Sequence, residues 1–156
     1  GRIKSACETK NELYAKHEKK KFQTLIETDE YKIMSAGLTI KMEDIKKILN
    51  FDENFWNYIK SKIKYIEAKK ENEFFYSTLM KFDKNNNLID IKVIVPYITD
   101  IKTALVNIHE LKHAYDLYQL LGKSVDEKNP IYEERAEKKE NEFKTQYVLK
   151  RFSRWF

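Results

Sequence analysis

Apolar residues recur along this chain in two periods, and the place where one gives way to the other organises the rest. Residues 9–28 open with Thr9-Lys10-Asn11-Glu12, the form of a capping box, in which hydroxyl and carboxylate satisfy one another's orphan backbone donors. The stretch predicts a helix. Its middle, 15–21, is almost wholly charged, which leaves Leu13, Tyr14, Phe22, Leu25 and Ile26 to dock. Residues 37–42 alternate apolar with polar and predict a short strand. A brief helix follows over 43–50. Asp52 is a suitable N-cap for another helix running to about Lys69, in which Phe55, Ile59, Ile63 and Ile66 recur at helical spacing on one buried face.

The period then changes from 3.6 to 2. Residues 74–82 and 88–96 are rich in aromatic and branched side chains, with Asp83-Lys84-Asn85-Asn86-Asn87 between them. Asn and Asp tolerate left-handed backbone angles, so this is a hairpin connection. Pro96 ends the second strand, and Thr99 or Asp100 caps a helix from 101 to about 121 with Ala104, Leu105, Ile108, Leu111, Tyr115 and Tyr118 as its apolar stripe. Gly122 suits the left-handed position that closes a helix. Asn129-Pro130 pairs a good N-cap with proline at the first helical position, opening a last helix that runs to about 152. The expected fold class is α+β: a mainly helical part over 1–70, which braces a small sheet or gates a cleft, then a hairpin and two long helices over 71–156.

Composition narrows the classes. A length of 156 residues predicts one domain that buries a core without disulfides, and the single cysteine, Cys7, excludes a disulfide framework or a multi-cysteine zinc site. Lys+Arg 30 against Asp+Glu 25 gives a net +5, too small and too evenly mixed to mark a nucleic-acid protein. No apolar run approaches the ~18 residues of a membrane span. No signal peptide is visible, so a cytoplasmic protein and a domain of a secreted one both stay open.

The chemistry gathers in one pentapeptide. Two of the three histidines fall in His109-Glu110-Leu111-Lys112-His113, the pattern H-E-x-x-H. Residues four apart on a helix stand one above the other, so both imidazoles can reach one ion. Zn²⁺ accepts imidazole nitrogen in a tetrahedron whose catalytic form leaves a vertex for water. Glu110, next to the first ligand, is placed to take that water's proton. Lys112 departs from the uncharged residue usual before the second histidine. A third ligand is needed. Asp116 and Gln119 occupy the positions where the extended motif has glycine and histidine, and His17 lies in a lysine run that reads as solvated surface. The last helix carries Glu133, 20 residues after His113, with Ala136 and Glu137 at i+3 and i+4 on its own face. A small residue there lets two helices approach, and a carboxylate one turn on can accept a proton from a ligand histidine and set its tautomer. Glu134, about 100° away, is the alternative ligand.

His109-Glu110-Leu111-Lys112-His113 followed by Glu133-x-x-Ala136-Glu137 resembles the gluzincin branch of the zincin metallopeptidases, and within it the peptidase domain of anthrax-lethal-factor-like toxins and small bacterial zincins. The likeness covers roughly residues 74–145. It implies a small zincin-like fold, one zinc held by His109, His113 and Glu133, Glu110 as general base and acid, and hydrolysis of a peptide or protein substrate. It also implies that 88–96 or its partner is an edge strand lining the cleft, on which an extended peptide pairs. A tyrosine or histidine that stabilises the oxyanion is implied too; Tyr132, Tyr147 and Tyr115 are the tyrosine candidates, and packing accounts for each of them as well.

Two other classes stay in play: a zincin-like binding or regulatory domain that has lost hydrolysis, and a basic helical interaction module. The basic-aromatic mixture of 144–156 bears on the latter, although an amphipathic helix packing Tyr147, Phe152, Trp155 and Phe156 on the core explains it as well.

Overall fold

The computed structural model describes residues 2–5, 23–24, 33–35, 38–40 and 42–149, with side chains from 44 to 146. In chain order the elements are β1 (Arg2–Ser5), β2 (Gln23–Thr24), β3 (Ile33–Ser35), β4 (Leu38–Ile40), α1 (Met42–Leu49), α2 (Glu53–Ile59), β5 (Ile63–Ile66), β6 (Ser77–Phe82), β7 (Leu88–Pro96), α3 (Ile101–Tyr118) and α4 (Ile131–Phe143). Short 3₁₀ turns occupy Lys60–Lys62 and Lys70–Phe75, and Lys144–Leu149 form a π-helical turn. The class is α+β, as the pattern predicts.

The sheet is larger than a hairpin. Five strands lie in the order β1-β6-β7-β5-β2, and β3 and β4 pair separately. The hairpin at its centre has the expected turn chemistry: Asn86 adopts φ 63, and the Asp83 carboxylate accepts the backbone N–H groups of Asn85 at 2.8 Å and Asn87 at 2.9 Å.

Two expected helices differ. Asp52 does cap α2, its Oδ1 accepting from Phe55 N at 2.7 Å. The helix stops at Ile59, however, and Ile63–Ile66 form a strand parallel to β7, with Ile63 opposite Val93 and Tyr65 opposite Val95. The spacing of Ile59, Ile63 and Ile66 suits a helical stripe, but only a strand beside β7 buries both of its faces: Ile63 and Tyr65 join the main core, while Ile66 joins a second cluster with Phe75, Leu79 and Ile94. Gln23 and Thr24, expected within the first helix, pair antiparallel with Tyr65 and Lys64. The remainder of that predicted helix, His17 and Cys7 lie outside the described residues.

The order of strands also corrects the expected cleft edge. β7 is central, flanked by β6 and β5. Its partner β6 is covered by β1 along Leu79–Phe82, so among the described pairings only Ser77 and Thr78 run past the β1 register.

Helix α3 lies under β6 and β7. Met80 and Phe82 of β6 and Ile91, Val93 and Val95 of β7 pack with Ala104, Ile108, Leu111 and Ala114 of α3, all buried. Each large aliphatic side chain so buried stabilises the fold by about 1.5–3 kcal/mol relative to exposure. Both ends of α3 are anchored. At its start the Asp100 carboxylate accepts from Thr103 N at 2.8 Å and the Thr103 hydroxyl accepts from Asp100 N at 3.0 Å, a reciprocal cap. Beyond its end Gly122 turns through φ 83, and its N–H donates to Leu88 O at 2.7 Å, tying the helix exit to the start of β7.

α4 packs on α3, and of its own residues only Ala136 and Phe143 are buried. The helix starts at Ile131 with Pro130 as its cap residue, one position later than expected, and the Asn129 side chain accepts from Ile131 N at 3.1 Å. The regular helix ends at Phe143, earlier than the expected 152.

Candidate metal centre

Because α3 is pinned at both ends, the direction of each side chain along it is set. Ile108 and Leu111 point into the sheet, and His109 and His113 stand on the side that meets α4. His113 is 1% exposed and His109 18%. From α4, Glu133 brings its Oε1 to 2.9 Å from His109 Nε2 and 2.7 Å from His113 Nε2, and the two Nε2 atoms are 3.1 Å apart. The three residues thus converge on one point with one ligand atom each.

These donors fit a metal ion. In a tetrahedral zinc site with bonds of about 2.0–2.1 Å, neighbouring ligand atoms stand about 3.3 Å apart, a few tenths of an ångström more than here. Three lone-pair atoms this close repel one another unless a positive charge, proton or metal, lies among them. Without a metal, a second proton on an imidazole can meet that need. Burial alone would pull the His109 imidazole down, but the Glu140 contact, the Glu110 charge and Glu133 outweigh it and push the ring from 6.5 up to about 9.

Glu110, about 100° round the helix from His109, is buried, with Thr78 of the sheet against it. Thr78 of β6 holds it: the hydroxyl donates to the Glu110 backbone carbonyl at 2.6 Å and meets the carboxyl Oε1 at 3.0 Å. Burial pushes this carboxyl above its ordinary value, against the pull of His113, His109 and the Thr78 bond. Lys112 causes no conflict with the two histidines. It turns away to pair with Asp116 at 3.0 Å and lies over the Tyr115 ring at 5.0 Å.

The other candidates separate clearly. Glu134 and Glu137 are exposed, and both line a shallow surface cavity of about 480 Å³ on the outer side of α4. The carboxylate at the second nitrogen of His109 belongs to Glu140, whose Oε2 is 3.3 Å from Nδ1. The pattern of the chain had pointed to Glu137 for that place. Helix geometry gives the reason for the difference. Relative to Glu133, Glu140 is rotated by roughly 20° towards the buried Ala136, whereas Glu137 is rotated roughly 40° the opposite way. The signal lay in the sequence, in the alignment of Ala136 and Phe143 as the inner line of the helix. Tyr115 packs against Phe51 and Phe55 with ring centroids 5.5 and 5.1 Å away, Tyr132 is half-buried, and the Tyr147 side chain lies outside the described residues.

No family model, curated protein or solved structure matches this chain. The reading of the site therefore rests on its own geometry. No helix among the described residues is long and apolar enough to cross a membrane.

Proposed function

We propose that this protein is a zinc-dependent peptidase of zincin type that hydrolyses a peptide bond. One observation carries the reading: His109, His113 and Glu133 direct three ligand atoms at one point, 2.7–3.1 Å from one another, with Glu110 buried one residue along the same helix. The donor set of two imidazoles and one carboxylate is that of catalytic zinc sites, and such an ion supplies Lewis acidity, polarising a carbonyl and lowering the pKa of water to about 7.

The chain's own residues do the rest. Glu110 takes the proton of the attacking water and returns it to the leaving amine. Its burial favours this role, because a carboxyl raised above its ordinary value is a stronger base than an ordinary carboxylate. Thr78 keeps the carboxyl from swinging away.

The test is cleavage of a peptide library by zinc-loaded protein, read by mass spectrometry, with Glu110→Gln as control. The reading predicts products that vanish in the variant while its zinc content is unchanged. Zinc-loaded wild type that cleaves nothing would leave a metal-binding domain without hydrolysis.

A further inference from the structure

We propose that Glu140 is the positioning residue of the metal centre: it holds the proton of His109 on Nδ1 and so leaves Nε2 bare for the ion. The inference rests on the metal-binding reading above and extends it to a residue outside the ligand set.

A neutral imidazole carries one N–H, and only its other nitrogen can ligate. In His109 the two nitrogens face different neighbours. Nε2 faces Glu133 and His113, while Nδ1 faces Glu140 Oε2 at 3.3 Å. A carboxylate beside Nδ1 favours the tautomer with the proton there, and it raises the basicity of the ligating nitrogen. Glu140 is available for this. Its side chain is 25% exposed, and the adjacent Lys139 pairs with Glu142 at 3.1 Å.

The two histidines are unequal in this respect. His113 Nδ1 is buried and has no hydrogen-bond partner among the described residues. On its Nδ1 side packing alone holds that ring, whereas His109, which is more exposed, also has a hydrogen-bond partner there. Loss of Glu140 therefore frees the ring that the surrounding structure holds less firmly. Glu137 cannot substitute, since it lies on the outer side of α4.

The experiment measures zinc affinity by competition with a chelator of known strength for wild type, Glu140→Ala, Glu140→Gln and Glu137→Ala. Thermal unfolding of each metal-free protein controls for folding. Glu140→Ala is expected to weaken zinc binding about 10–100-fold. Glu140→Gln, whose amide oxygen still accepts from Nδ1–H, restores most of it, and Glu137→Ala stays at the wild-type value. Nitrogen-15 NMR of the zinc-bound wild type should show His109 protonated on Nδ1. Wild-type affinity in Glu140→Ala, or His109 protonated on Nε2, would overturn the assignment while leaving the metal centre intact. A wild type that takes up no zinc would overturn both.

Discussion

The hydroxyl of Thr78 stands 2.6 Å from the backbone carbonyl oxygen of Glu110 and 3.0 Å from its carboxyl Oε1. One side chain on β6 thus grips both ends of the residue read as the catalytic base, and both residues are buried. Thr78→Val keeps the shape and removes the oxygen. Leaving a buried carboxyl without this partner costs about 1–3 kcal/mol in stability, measurable by urea unfolding. Activity is expected to fall at least tenfold in kcat with zinc affinity unchanged. Equal kcat in the two proteins would show that Thr78 serves packing alone.

Glu133 and Glu134 are chemically identical neighbours, and only the phase of α4 distinguishes them. Glu133→Gln removes the anionic oxygen that meets both Nε2 atoms and is expected to lower zinc affinity at least a hundredfold. Glu134→Gln, on the exposed side, is expected to leave it within a factor of two. Chelator competition reads both, and the reverse ranking would move the register of α4 by one residue.

Ala136 is 0% exposed where α4 meets α3. Ala136→Leu would force the helices apart, destabilise the protein by about 1–3 kcal/mol, and draw Glu133 away from the histidines. Thermal unfolding and zinc titration should therefore worsen together. An unchanged zinc affinity would show that the third ligand tolerates a displaced helix.

The protonation of His109 makes a signed prediction. Its pKa of about 9 in the metal-free protein, against 6.5 ordinarily, means that the folded state holds this proton more tightly than the unfolded chain. The stability so gained is complete below about pH 6.5 and is lost as pH rises through about 9. Zinc competes for the same lone pair, so its affinity should climb with pH over that window. Near pH 7.5 each zinc bound should release about one proton from this ring. Calorimetric titrations in two buffers of different ionisation enthalpy measure the release. None at all would mean that His109 is neutral before the metal arrives.

Much of the site was legible before any coordinates because its signals are local. The Asp100 cap, the i and i+4 histidines and the Gly122 exit all belong to one continuous stretch. Glu133 needed only the additional idea that the next helix folds back. The sheet was less legible because its extra strands are long-range pairings: Arg2–Ser5 with β6, Gln23–Thr24 with β5, and Ile63–Ile66 with β7. Nothing local to Ile63 distinguishes a strand buried on two faces from the end of an amphipathic helix. Glu140 was missed for a related reason. Counting i+3 and i+4 from Glu133 finds the nearest neighbours, but the inner line of α4 drifts with the helix and reaches Glu140 two turns later.

All of this depends on one ion occupying one point, and metal content tests that most directly. Untagged wild type and His113→Ala, supplied with zinc and freed of excess, should be measured by mass spectrometry beside their protein concentrations. About one zinc per chain in the wild type, lost in the variant, is the predicted result. No zinc in either protein would contradict the metal centre and the peptidase reading with it.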